Sequence, residues 1–181
     1  KLSRFIMRRK EYKDARSLLF MTPKDLGFNM HSKTMRTAVP ILLMLGTAHL
    51  LNDMIQSMLT AIYPMLQEKF VLDFAKIGLI SLIYQCTASI LQPCIGFWTD
   101  KHPKPLLLPL GMVMTTSGVV LLSMAAGYNH LLIAAGMMGI GSSIFHPEAV
   151  RLTRIASGGR YGLAQSIFQV GGNMGSAFGP L

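Results

Sequence analysis

The stretch PLLLPLGMVMTTSGVVLLSMAAGYNHLLIAAGMMGIGSSIFHP, residues 105–147, runs for 43 residues without one Asp, Glu, Lys or Arg. A membrane-spanning helix needs about 20 consecutive, mostly apolar residues. The run is therefore long enough for two, and Gly127-Tyr128-Asn129-His130 supplies a turn near its middle. Working outward, the pattern repeats: residues 77–99 and 161–181 carry no formal charge, and residues 37–67 carry only Asp53. The spacing predicts spans at roughly 39–67, 75–98, 106–126 and 131–153, with a fifth that begins near 162 and is cut off by the end of the chain.

Composition supports the same class. Of the 181 residues, 51% are hydrophobic and 14% charged, against about 25% charged in ordinary soluble domains; the mean hydropathy is +0.43. The net charge of +9 is unevenly placed. Residues 1–38 hold ten Lys/Arg and three acids, while residues 39–181 hold seven and five. A water-soluble globule of that size could not cover its surface with so few charges. A soluble Rossmann or hydrolase fold is excluded, and so is a nucleic-acid-binding domain as the source of the high pI. Cys86 and Cys94, eight residues apart on one predicted helix, would sit about 12 Å apart, too far for a disulfide. The expected class is an all-α polytopic membrane protein. Starting at Lys1 and ending inside an apolar run, the chain reads as a fragment of a larger protein.

The chain divides into two regions: a basic N-terminal extension over 1–38, expected to be disordered and cytoplasmic, and a membrane region over 39–181. Lys/Arg residues accumulate on cytoplasmic loops. The extension, the 99–105 loop and the 151–161 segment hold fifteen; the opposite side holds Lys69 and Lys76. The N-terminus is therefore expected in the cytoplasm. The 14 methionines are scattered and read as gap-filling core residues.

Polar residues inside the spans are the candidate site. His49, Asn52, Asp53 and Gln56 fall at i, i+3, i+4 and i+7, which is one helix face. An ionised Asp at the centre of a span costs on the order of 2.5–3.5 kcal/mol, so Asp53 reads either as an acid that exchanges protons from a cavity or as a hydrogen-bonded link between helices. The fourth span carries His146, Pro147 and Glu148, then Arg151 and Arg154; Pro147 removes a backbone donor and is expected to kink or break the helix. Glu148 and Arg151, at i and i+3, can pair with each other. His146 with Glu148 offers two ligands, too few for zinc, and no metal or cofactor is expected. Gln165, Gln169 and Asn173 share a face of the fifth span, and Gln85 and Gln92 lie on the second; such amides either join helices or line a pathway. Gly171, Gly175 and Gly179 repeat every four residues, a small-residue stripe suited to close helix packing.

The motifs then resemble a family. Gly96-Phe-Trp-Thr-Asp100-Lys101-His-Pro-Lys104 resembles the G-x-x-x-D-[RK]-x-G-[RK] signature of the major facilitator superfamily, with Pro103 where that family usually has Gly. Gly175-Ser-Ala-Phe-Gly179-Pro180 resembles the core of its fifth-helix antiporter motif. The fourth-helix arginine motif of many proton-coupled members is absent, Ala135 and Met138 standing in its place. Within the superfamily, His49-Leu-Leu-Asn52-Asp53-Met-Ile-Gln56-Ser, Leu91-Gln92-Pro93, Phe145-His146-Pro147-Glu148 and the segment from Ala156 to Pro180 are similar to the bacterial fosmidomycin resistance family, a drug-efflux branch. The resemblance covers about 40–181. It implies a twelve-helix exporter of the bacterial inner membrane, of which this chain is most of the first six-helix half, with the other half missing.

The activity implied by the resemblance is proton-coupled efflux of a small polar drug by alternating access, with the lipid bilayer, the drug and protons as partners. The proton and substrate pathway would comprise His49, Asn52, Asp53, Gln56, Gln92, His146, Glu148, Arg151, Gln165, Gln169 and Asn173. Gly96, Asp100, Lys101 and Lys104 would form a gate between the second and third spans, and Gly171, Gly175, Gly179 and Pro180 a packing face. The alternatives are an uptake carrier for an organic anion on the same fold and a non-transporting membrane protein. An enzyme would need a complete nucleophile or metal constellation, which the sequence does not present.

Overall fold

The structure, a computed structural model, describes residues 37–102, 104 and 106–181. All but the last two residues of the basic 1–38 segment lie outside the described residues. Six helices account for the regular structure described: α1 Val39–Ala61, α2 Tyr63–Phe70, α3 Phe74–Lys101, α4 Leu107–Ser123, α5 Tyr128–Ala156 and α6 Tyr161–Phe178.

α5 is the centre of the packing. It lies against α3 and α4, while α1 packs mainly on α6 and touches α5. Leu131, Ala134, Ala135 and Met138 of α5 are fully buried at i, i+3, i+4 and i+7, the stripe expected of a helix held against its neighbours. The backbones approach closely where side chains vanish. A Cβ on Gly111 of α4 would stand 2.9 Å from the Gly141 carbonyl oxygen of α5, and one on Gly175 of α6 would collide with the Leu50 carbonyl of α1. Small residues of this kind allow the contact that lipid-embedded helices need, because lipid supplies little hydrophobic force between them.

The polarity is inverted relative to a soluble protein. Asn52, Ser142, Ser143 and Glu148 are buried, while Met44, Phe97, Val113, Ile133 and Val170 are exposed. An apolar outer surface of that extent needs a covering phase. Taken singly, among the described residues only α3 is long and apolar enough to cross a membrane; α4 is apolar but has 17 residues. α1 and α5 are long enough, but their polar residues dilute the apolar content; His49, Asn52, Ser142, Ser143 and Glu148 among them are buried.

Three expectations are corrected. The first predicted span, 39–67, is interrupted: α1 ends at Ala61 and a separate short helix, α2, starts at Tyr63 with Pro64 in its first turn. Pro64 has no N–H to continue the α1 ladder and fits the opening of a helix instead. Conversely, Pro147 does not break its helix, since α5 runs through it from Tyr128 to Ala156, as α3 runs through Pro93. One proline forfeits a single ladder bond, and helices packed in a bundle absorb that loss. The turn expected over 127–130 is also tighter, because α5 begins at Tyr128 directly after Gly127. At one end of the bundle, Ala38 N–H donates to the Ala156 carbonyl (3.0 Å) and Thr37 Oγ1 to the Ser157 carbonyl (2.9 Å). These bonds tie the start of α1 to the end of α5.

Candidate functional site

α1, α5 and α6 meet at a cluster of ionisable side chains. His49 of α1 is 5% exposed, and its ring stacks on Phe168 of α6 with centroids 4.0 Å apart at 16°. Its Nδ1 lies 2.8 Å from the Phe168 carbonyl oxygen. A carbonyl only accepts, so Nδ1 carries the hydrogen. Gly172, one turn further along α6, lies under the ring: a Cβ there would come within 2.6 Å of Nε2 and 2.8 Å of Nδ1. The imidazole is therefore held by a backbone acceptor, an aromatic face and the absence of a side chain.

With Nδ1 committed, Nε2 faces Asp53 Oδ2 at 3.2 Å. The other carboxylate oxygen of Asp53, Oδ1, lies 3.7 Å from His146 Nε2 of α5, and the two imidazole rings stand edge to face with centroids 5.2 Å apart. Asn52, 1% exposed, donates from Nδ2 to Asp53 Oδ1 at 3.3 Å and accepts from Thr115 Oγ1 of α4 at 3.5 Å. One turn along α1, Gln56 Oε1 accepts from Tyr84 of α3 and from Ser142 of α5, the latter at 3.3 Å. Its Nε2 is buried without a partner. Five helices, α1 and α3 to α6, thus contribute to one polar seam inside the bundle.

The other predicted residues divide. Glu148 is fully buried and is held by Arg151, whose Nε donates to Oε2 at 3.0 Å and whose Nη2 donates to Oε1; the pair stands apart from the histidine–aspartate cluster. Asp100 is near enough to act electrostatically on the Arg151 guanidinium. Lys101 and Lys104 are exposed, Lys101 Nζ lying 4.2 Å from the centre of the Phe97 ring, and Gly96 faces Pro147. Gln92, Gln169 and Asn173 are exposed and Gln165 is half-buried; among the described residues no hydrogen bond joins them to the cluster. Gly171 and Gly179 press on the Gly46 carbonyl and the Ser57 side chain of α1, as Gly175 does on Leu50, and Pro180 is exposed.

Sequence reasoning missed Phe168, Gly172, Tyr84, Thr115 and Ser142. Ser142 carried a usable signal, since it precedes His146 by four residues and shares its helix face. Phe168 acts through its backbone and ring, and Gly172 by lacking a side chain, so neither left a polar mark in the sequence.

Residues 45–181 match the family model of the Major Facilitator Superfamily. Over 146 residues the chain is 58% identical to the fosmidomycin resistance protein of Escherichia coli (strain K12), covering 81% of this chain and 36% of that protein. An uncharacterised transporter of the same superfamily from Bacillus subtilis (strain 168) is 41% identical over 145 residues, 80% of this chain and 36% of its own. A Staphylococcus carnosus (strain TM300) protein named as a probable nitrate transporter is 23% identical over 124 residues, 68% of this chain and 32% of its own. No solved structure matches the chain. The chain spans about a third of the length of these curated relatives. An inward-facing polar seam in an apolar helical bundle and a family match over most of the sequence lead to one conclusion: the chain belongs to the major facilitator superfamily, a family of multi-pass membrane transporters and not of enzymes.

Proposed function

We propose that this chain forms most of the N-terminal half of an inner-membrane exporter that expels a small polar drug of the fosmidomycin kind in exchange for protons. Its two regions are a basic cytoplasmic extension over 1–38 and a membrane domain over 39–181. The observation that carries the coupling role is the contact of His49 Nε2 and His146 Nε2 with the Asp53 carboxylate, at the junction of α1, α5 and α6. Asp53 is the acid that takes up and releases the proton, and the two imidazoles are its exchange partners. Rocking of two halves about a midplane site exposes such a group to each side in turn. The substrate comes from the likeness to the fosmidomycin resistance protein, and Gln56 and Ser142 offer the polar contacts such a molecule needs. Asp100, acting on Arg151 across the ends of α3 and α5, together with Gly96, Lys101 and Lys104, serves as the gate on the cytoplasmic side.

Asp53→Asn tests the coupling role, since it keeps shape and hydrogen bonding but removes the titration. In vesicles with an imposed proton gradient, the substitution abolishes uphill efflux while membrane abundance stays normal. Full gradient-driven efflux by Asp53→Asn sinks the coupling role and leaves Asp53 as a link between helices. The second reading is an uptake carrier for an organic anion on the same fold; the relative named as a probable nitrate transporter shares with it an anionic cargo. Lower cell accumulation of labelled drug on expression supports export, and higher accumulation supports uptake.

A further inference from the structure

We propose that His49, Asp53 and His146 form a binding site for a divalent transition-metal ion of the zinc type, with at least one coordination position left open. The inference uses residues of the proposed coupling site but does not depend on transport. Three observations carry it. First, His49 Nδ1–H is donated to the Phe168 carbonyl, so a neutral ring presents its Nε2 lone pair toward Asp53. Donation of the second ring nitrogen to a backbone carbonyl is how metal-binding histidines are oriented. Secondly, His49 Nε2 and a carboxylate oxygen 3.2 Å apart need a positive centre between them, which a proton on Nε2 or a bound cation supplies, so a metal ion competes with that proton for the site. Among the described residues no Lys or Arg pairs with Asp53, and Arg151 is engaged by Glu148.

Thirdly, the dimensions fit. Bonds of about 2.0–2.1 Å in a tetrahedral site set ligand atoms about 3.3 Å apart. His49 Nε2 lies 3.2 Å from Asp53 Oδ2 and His146 Nε2 3.7 Å from the other oxygen, Oδ1; with one ligand atom from each of the three residues, all three lie within 4.8 Å of one another, so the side chains close in modestly to bind. Two imidazole nitrogens and one carboxylate oxygen suit zinc, cobalt or nickel, whereas calcium and magnesium prefer all-oxygen sets. Asn52 Nδ2, donating to Asp53 Oδ1, orients the carboxylate. The ligands stand on helices α1 and α5, with His49 seated against Gly172, so little reorganisation is needed. Glu148, two residues from His146, pairs with Arg151, as their i, i+3 spacing allows.

The probe is Co2+, added to the purified protein in detergent, with Zn2+ as competitor. Cys86→Ser and Cys94→Ser are included throughout to remove thiol ligands. One equivalent of Co2+ is expected to give the visible absorption of a low-coordinate N/O site, displaced by Zn2+. His49→Gln, Asp53→Asn and His146→Gln should each weaken binding at least tenfold, and His102→Gln and His130→Gln should leave it unchanged. Size-exclusion behaviour checks that each variant is folded. X-ray absorption of the Zn2+-loaded unsubstituted protein should show two imidazoles, a readout that needs no ligand variant. Absence of saturable binding, unchanged binding in Asp53→Asn and His146→Gln, or a metal without imidazole ligands overturns the site. Gradient-driven efflux without metal binding overturns this inference alone, and metal binding without efflux overturns the transport reading alone.

Discussion

Gly172 is set by the ring above it. A methyl group at that position would meet the His49 imidazole and push it off both the Phe168 carbonyl and Asp53. Inserting one carbon into a packed interface costs about 1–3 kcal/mol. Gly172→Ala should therefore lower the thermal unfolding midpoint in detergent and reduce gradient-driven efflux. Gly162→Ala, on the same helix with nothing within 4 Å of its Cβ, should leave both unchanged or raise the midpoint slightly. Equal behaviour of the two variants would remove the steric account of the site. The Glu148–Arg151 pair is asymmetric in another way. Glu148 is 0% exposed and the Arg151 side chain 23%. Removing the arginine leaves a buried charge unpaired, a loss of about 3–5 kcal/mol, whereas removing the acid leaves a cation that reaches water. Arg151→Gln should destabilise the protein more than Glu148→Gln, as read by thermal unfolding of matched preparations; the reverse order would contradict the assigned burial.

Among the helices, the informative place is the passage from α1 to α3. α1 stops at Ala61, α2 opens with Pro64, and α2 ends on Val71 in the left-handed conformation at φ 50°. A β-branched residue there is strained, by about 1–2 kcal/mol relative to glycine. Two residues on, Asp73 Oδ1 accepts from Lys76 N–H at 2.8 Å and caps α3. The turn is thus fixed on its far side by a cap while carrying strain on its near side. Val71→Gly should raise the unfolding midpoint, since the side chain is exposed and its loss removes little packing. A lower midpoint would show that Val71 is held by contacts and not merely tolerated.

For the molecule as a whole, charge asymmetry sets orientation. Fifteen Lys/Arg fall in the N-terminal extension and the segments assigned to its side, and two on the other, so the positive-inside rule predicts a cytoplasmic N-terminus. Cysteines introduced at 102 and 159 in a Cys86→Ser, Cys94→Ser background should react only with reagents that enter the cytoplasm. One at 129 should react with impermeant external reagents. Labelling of position 102 from outside intact cells would invert the topology.

The membrane class and the approximate positions of the five long helices were legible in the sequence because they rest on a one-dimensional quantity, the length of chain between charges; the short sixth helix, α2, was not. The shared face of His49, Asn52, Asp53 and Gln56 was legible for a similar reason, since it comes from helical periodicity alone. The sequence could not show that Pro64 interrupts a helix while Pro93 and Pro147 do not. A proline forfeits the same ladder bond in each case, and the surrounding packing decides whether the helix continues. Nor could it show that His146 turns to Asp53, although the i, i+3 spacing already offered the pairing of its neighbour Glu148 with Arg151. Residues two apart on a helix point to different sides, and which side meets α1 depends on how α5 is rotated in the bundle. Tertiary structure also decided the tautomer of His49, because the acceptor that sets it is a backbone carbonyl 119 residues away, and every residue has a backbone carbonyl whatever its side chain.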